Sequence, residues 1–302
     1  MLKTRVMTAA VLLPAILWLL IAGPHWSVGL LILFAITLSV FEMSMMIQPR
    51  LDEMLRNYSF VGSERSQTSE IYIASNRTPH YRILAFFCAG VMGAIFVISA
   101  LYDLPADRGI VVFGLILAMV VAVFATKGIE AEMARVLGFT LTLAYAGFPW
   151  LVVWDLQTNE PNGRQLLFVL VIVWMGDTGG YFGGRFFGKT KLAPQKSPKK
   201  TWEGAIAGLT ASMIGALVWQ SYYYVDLIGG STMALICGFF GGIAGQMGDL
   251  VESVIKRFTG VKDSGTLLPG HGGLLDRIDG VLFAAPVIWF ILYVAGSIRV
   301  IP

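Results

Sequence analysis

The chain has 302 residues, of which 56% are hydrophobic and only 14% charged. Soluble domains carry about 25% charged residues, so this chain lacks the polar surface to face water all round, and it is neither a disordered tail nor a nucleic-acid binder. The net charge of +3, from 22 basic and 19 acidic residues, is too small to select a partner, so the placement of those charges carries the information.

A helix crosses a bilayer core with about 20 apolar residues. In chain order the predicted spans are Val6–Ile21, Trp26–Ile47, Ile83–Leu101, Gly109–Ala125, Val136–Trp154, Leu166–Phe187, Gly204–Val225, Ser231–Asp249 and Val281–Ile298. The first has the Lys3 and Arg5 flank of a signal peptide, but no small-x-small cleavage site follows it and a second span comes almost at once. It is therefore read as a helix. The expected class is an all-α integral membrane protein with about nine transmembrane helices. With a cytoplasmic N-terminus, every basic residue except Arg108, Arg164 and Arg299 falls in a cytoplasmic segment. That asymmetry is the positive-inside signature and puts the C-terminus outside. Cys88 and Cys237 lie in apolar runs, where a free thiol is expected rather than a disulfide. His25, His80 and His271 show no zinc-ligand spacing.

Two regions follow from this layout. Residues 1–165 form an N-terminal transmembrane region with a polar cytoplasmic loop, 48–82, whose sequence suggests no chemistry. Residues 166–302 form the expected catalytic region, with cytoplasmic loops 188–203 and 250–280. No internal repeat is visible.

An ionisable residue deep in a span is a functional candidate by default. Asp177, in Trp174-Met175-Gly176-Asp177-Thr178-Gly179-Gly180-Tyr181, is the clearest; a structural Asp bonded to a neighbouring helix would look the same. The next loop holds Ser197, Lys199, Lys200 and Thr201 just before a helix start. Lysines alone could set topology or touch anionic headgroups, but hydroxyls, ammoniums and helix amides together make a phosphate grip. Asp249, Glu252, Ser253 and Lys256 recur at i, i+3, i+4 and i+7, which places them on one helical face leading out of the membrane. Lys262, Asp263 and the Gly-rich turn around His271 come next, then Asp276, Arg277 and Asp279, the two aspartates again three apart. Carboxylates beside lysines and arginines at a membrane surface suit Mg²⁺ holding a polyphosphate.

The run from Ser253 to Asp279, SVIKRFTGVKDSGTLLPGHGGLLDRID, resembles the signature of the phosphatidate cytidylyltransferases (CDP-diacylglycerol synthases). It agrees at Ser253, Lys256, Arg257, Lys262, Asp263, His271, Gly272, Gly273, Asp276, Arg277 and Asp279. The upstream segment GDTGGYFGGRFFGKTKLAPQKSPKKTWEG is also similar, with Gly180 where alanine is expected. The resemblance extends from Trp174 to the C-terminus and does not account for the 48–82 loop.

It implies transfer of CMP from CTP to phosphatidic acid, giving CDP-diacylglycerol and pyrophosphate on the cytoplasmic side of the bilayer. It assigns divalent metal to Asp249 and Asp276, with a monovalent cation beside it left open. The catalytic set is then Asp249, Asp276, Lys256, Arg257 and Asp279. The substrate-binding set is Ser197, Lys199, Lys200, Thr201, Ser253, Lys262, His271, Arg277 and Asp177. Of these, His271 serves equally well as a phosphate contact or as a structural turn residue, and Asp177 and Asp279 rank as supporting carboxylates. Expected partners are CTP, phosphatidic acid and membrane lipids; a homodimer is compatible with them. The size and the lack of a transit peptide fit a bacterial inner (plasma) membrane.

The competing readings are a transporter of an anionic solute and another membrane lipid phosphotransferase. The first predicts polar features in both halves, whereas here they crowd into the second. The spaced aspartate pattern of the CDP-alcohol phosphotransferases is absent from the sequence.

Overall fold

The computed structural model describes residues 2–61, 80–101, 116, 120, 129–223, 230–265 and 272–297. Helices dominate, in the order α1 (Leu2–Ala22), α2 (His25–Val61), α3 (His80–Leu101), α4 (Ile129–Thr142) and α5 (Pro149–Thr158) in the N-terminal half. They continue as α6 (Arg164–Phe187), α7 (Trp202–Tyr223), α8 (Ser231–Thr259) and α9 (Leu275–Val294). A π-helical turn, Leu143–Gly147, joins α4 to α5 without a break in the rod. Pro149 explains it: with no N–H to give, it cannot complete the α-helical ladder, and the wider turn absorbs the gap through Phe148 N to Leu143 O, 2.8 Å.

Among the described residues, six segments are long and apolar enough to cross a membrane: His25–Met54, Glu132–Thr158, Pro161–Phe187, Trp202–Tyr222, Ser231–Thr259 and Leu275–Val294. They correspond to the second, fifth, sixth, seventh, eighth and ninth expected spans. The first and third expected spans are helical as α1 and α3 but are not among the six. The fourth, Gly109–Ala125, lies outside the described residues except at Ile116 and Val120. The architecture is thus that of an all-α membrane protein.

Helix ends differ from the limits of the apolar runs, because capping rather than hydropathy sets them. Helix α8 does not stop at Asp249 but continues to Thr259, where Gly260 turns left-handed at φ 75°. There Val261 N reaches Lys256 O (3.0 Å) and Gly260 N reaches Arg257 O (3.3 Å), the double closure of a Schellman motif. Helix α9 starts at Leu275, before its apolar run, and so carries Asp276 and Asp279 in its first turns. Likewise α2 runs through the first part of the expected 48–82 loop.

Two devices bring the helices together. Helices α6 and α7 form the most extensive pair, and glycines let their backbones meet: a Cβ on Gly208 would stand 2.7 Å from Gly176 O. At the α8–α9 crossing a Cβ on Gly248 would collide with the Asp279 carbonyl, so the residue before Asp249 lies backbone to backbone with α9. Packing of small residues at such crossings is a main source of helix association in lipid. In the N-terminal half, Arg135 of α4 donates to both oxygens of Asp52 on α2 (2.7 and 2.8 Å) and to Gln48 Oε1 (2.9 Å). All three side chains are buried.

Two outcomes are expected. Gly208→Ala must push α7 away from α6, destabilising by about 1–3 kcal/mol and lowering the thermal midpoint in detergent. Arg135→Ala removes the guanidinium from the buried Asp52 carboxylate and should destabilise by about 3–5 kcal/mol; the double variant Asp52→Asn/Arg135→Met should recover part of that midpoint. A single variant that melts with the wild type contradicts the corresponding contact.

Candidate functional site

The basic segment after α6 is not an open loop. Lys191–Ala193 (β1) and Ser197–Thr201 (β2) pair as an antiparallel hairpin with Lys191 opposite Thr201 and Ala193 opposite Ser197. Thr201 is buried and caps α7, its Oγ1 accepting from Gly204 N at 3.2 Å, the pattern of an N-cap threonine. Glu203, in the first turn of α7, accepts from Lys189 N (3.1 Å) and Thr190 N (3.1 and 3.2 Å). These bonds hold the residues just before β1 against the first turn of α7. Side chains alternate along a strand, so Lys199 projects outward, exposed, while Lys200 turns inward to Asp249 at 2.7 Å. Arg257 Nε donates to Lys196 O at 3.3 Å, a second tie between hairpin and α8. Ser197 opens β2, half-buried.

The face anticipated on α8 is present. Asp249 Oδ1 lies 3.5 Å from Ser253 Oγ, and Glu252 Oε2 pairs with Lys256 Nζ at 2.7 Å, with the acid N-terminal to the base as the helix favours. The same ammonium reaches Asp276 Oδ1 on α9, also 2.7 Å. Glu252 is 1% and Asp276 8% exposed at the side chain, so one ammonium is shared between two buried carboxylates and ties α8 to α9.

Asp276 has a second task. Its Oδ2 accepts from Ser264 N (2.9 Å), Ser264 Oγ (3.1 Å) and Gly273 N (2.9 Å). Lys256 is the one donor on the other oxygen, Oδ1, which keeps acceptor capacity. A second buried carboxylate meets the same turn. Glu42 of α2 is 5% exposed and accepts from Leu274 N (3.1 Å), Leu275 N (3.0 Å) and Ser264 Oγ (3.2 Å). The chain wraps the pair closely. A Cβ on Gly272, itself at φ 81°, would lie 2.6 Å from Asp276 Oδ2, and one on Gly273 would lie 2.7 Å from Glu42 Oε2. At Gly272 and Gly273 two carboxylates fill the space that side chains would occupy.

The structure therefore brings together Lys200 with Asp249, Lys256 with Asp276, and Arg257 with the hairpin. Asp177 on α6 is exposed but within electrostatic reach of Asp249 and Lys200, and Asp279 on α9 within reach of Asp249, Asp177 and Lys256. Lys262 and Arg277 are exposed, and His271 lies outside the described residues. Sequence reasoning missed Glu42, although it sits inside the apolar run Trp26–Ile47 and meets the criterion that singled out Asp177. It also gave no role to Glu252 or Ser264. Tyr145, set by the π turn 5.6 Å from the Phe283 ring, is a further omission; its buried hydroxyl has no hydrogen-bond partner among the described residues.

The donors can be tested for a divalent metal. Asp249 is 42% exposed, and its carboxylate retains open capacity beyond the Lys200 contact. Asp276 has one oxygen saturated and shares the other with Lys256. No group of three or more His, Cys, Asp or Glu among the described residues is arranged to hold a metal. Hard carboxylate oxygens in this number suit a cation such as Mg²⁺, which takes one or two carboxylates and completes its shell with water and phosphate.

Residues 3–295 match the sequence profile described as the Cytidylyltransferase family. The chain is 45% identical over 157 residues to a protein of Brucella suis named phosphatidate cytidylyltransferase, covering 52% of this chain and 56% of that one. It is 43% identical over 152 residues to a protein of the same name from Staphylococcus epidermidis, covering 50% and 57%. A Staphylococcus haemolyticus protein of that name is 41% identical over 152 residues, with the same coverage. The chain thus spans somewhat over half the length of these curated relatives. With a profile match running through nearly all of its helices, the chain belongs to the cytidylyltransferase family.

Proposed function

We propose that this protein transfers CMP from CTP to phosphatidic acid, releasing pyrophosphate and forming CDP-diacylglycerol. The observation that carries the reading is the Lys200–Asp249 and Lys256–Asp276 constellation, built by the basic hairpin and two helices long and apolar enough for the membrane. There a lipid phosphate and a soluble triphosphate can share one cluster of charge. The names of the relatives support the same reaction.

A phosphate oxygen of the lipid attacks the α-phosphorus of CTP. The new O–P bond forms as the bond from that phosphorus to the bridging oxygen of pyrophosphate breaks. The nucleophile is already anionic, so no strong base is needed; the difficulty is bringing two anions together. Positioning and charge neutralisation then dominate, as in phosphoryl transfer. Lys199, Lys200, Arg257, Lys262 and Arg277 supply cations for the triphosphate and lipid phosphate. Lys256 keeps Asp276 in place. Asp249 and Asp276 would hold Mg²⁺, which when bound would offset phosphate charge and ease departure of pyrophosphate. The basic hairpin and the α8–α9 connection face the cytoplasm in this reading, with the N-terminus inside, the C-terminus outside and the chain in an inner (plasma) membrane.

The test is transfer of label from CTP into chloroform-soluble product by the purified protein in detergent, with and without phosphatidic acid. Lipid-dependent incorporation is expected; none would exclude the reaction and return the anionic-solute transporter. EDTA should abolish transfer and Mg²⁺ restore it, whereas indifference to chelation would exclude the metal. Asp249→Asn should lower kcat on the order of 10²–10³-fold with the thermal midpoint retained, and full turnover would remove Asp249 from the site.

A further inference from the structure

We infer that Glu42, on a helix with no residue in the expected site, is a positioning residue for nucleotidyl transfer. The inference rests on the reaction proposed above and adds a component from the N-terminal half. Its basis is a continuous chain of contacts. Glu42 accepts from the first amides of α9 and from Ser264 Oγ; Ser264 donates to Asp276 through both its amide and its hydroxyl; Asp276 binds Lys256, and Lys256 binds Glu252.

Charge explains why the acid is there. A buried carboxylate requires donors or a cation. No lysine or arginine among the described residues forms an ion pair with Glu42. Its compensation is the N-terminus of α9, where free amides and the helix dipole favour negative charge. Helix N-termini often bind substrate phosphate in this way. Here Leu274 N and Leu275 N are taken by Glu42, and Gly273 N by Asp276. The protein occupies its own anion site, so substrate phosphates are left to the side-chain cations, and the amides at the start of α9 are committed to Glu42, which reaches Asp276 through Ser264.

The Ser264 hydroxyl has one proton and two carboxylates, at 3.1 and 3.2 Å. It couples the two acids, so loss of one must disturb the other. Gly265 and Gly273 close the arrangement, since a Cβ on either would run into the Glu42 carboxylate.

The test uses full-length Glu42→Gln, Ser264→Ala and the double variant, purified in detergent. Glutamine keeps one acceptor oxygen and sets an NH₂ group against donors that the carboxylate satisfied. Expected for Glu42→Gln is a kcat lower by about 10- to 100-fold at unchanged KM for CTP, counted per folded molecule from the thermal transition. Hydrogen exchange should rise at Ser264, Leu274 and Leu275 but not in α6 or α7. Ser264→Ala, a milder change that keeps the test open should Glu42→Gln fail to fold, should lower kcat about fivefold. The double variant should lose less than the product of the single losses, and Glu42→Asp should regain part of kcat. Wild-type kcat in Glu42→Gln, or unchanged exchange at Leu274 and Leu275, overturns the role of Glu42. A wild-type protein that transfers no CMP fails the proposed reaction instead, a result distinct from either.

Discussion

Carboxylates buried among apolar helices have to find donors close at hand, and the arrangement of this protein follows from how Asp276 and Glu42 find theirs. Asp276 collects an ammonium, two amides and a hydroxyl; Glu42 collects two amides and shares the hydroxyl. Each bond pulls a different part of the chain to the same place. Helix α8 arrives through Lys256, the turn before α9 through Ser264 and Gly273, and α2 through Glu42. Without these acids the first turn of α9 would need other partners for its amides, and nothing would set the height of Asp276 against Lys256.

Close approach of the backbones makes such short polar contacts attainable. Where α8 crosses α9, Gly245, Gly248 and Gly280 remove the side chains that would hold the axes apart. Asp249 and Asp279 then stand within electrostatic reach of each other on two helices. The α6–α7 pair uses the same device and carries the hairpin at its cytoplasm-facing end in the proposed orientation. That hairpin is docked on α8 through Lys200–Asp249 and Arg257–Lys196. Glycine works here by subtraction, leaving polar groups within hydrogen-bond range.

Much of this was legible in the sequence, for identifiable reasons. The helices around the site follow from apolar runs of membrane length. The pairing of Glu252 with Lys256 and the nearness of Asp249 to Ser253 follow from i, i+4 spacing. The Lys256–Asp276 contact was only implicit, since each residue was assigned to the site but not to the other. The hairpin was not legible, because a short, proline-containing basic stretch has neither helical nor strand periodicity. Nor was the capping role of Thr201: its hydroxyl looked like part of a phosphate grip until the Gly204 amide was seen to use it. Glu42 was overlooked for a different reason. Its partners are more than 220 residues away in sequence, and no local pattern announces a bond of that span.

Helix α2 has a consequence of its own. It is one helix of 37 residues with Pro49 between Glu42 and Asp52, and an α-helix rises about 1.5 Å per residue. A slide of one residue along its axis would take Glu42 out of range of Leu274 and Leu275. The Arg135–Asp52 bridge further along the same helix is equally intolerant. Helix α2 is therefore pinned at two heights, against α9 and against α4. When bilayer thickness changes, such a bundle cannot adapt by letting this helix slip; it must tilt as a unit or deform the surrounding lipid.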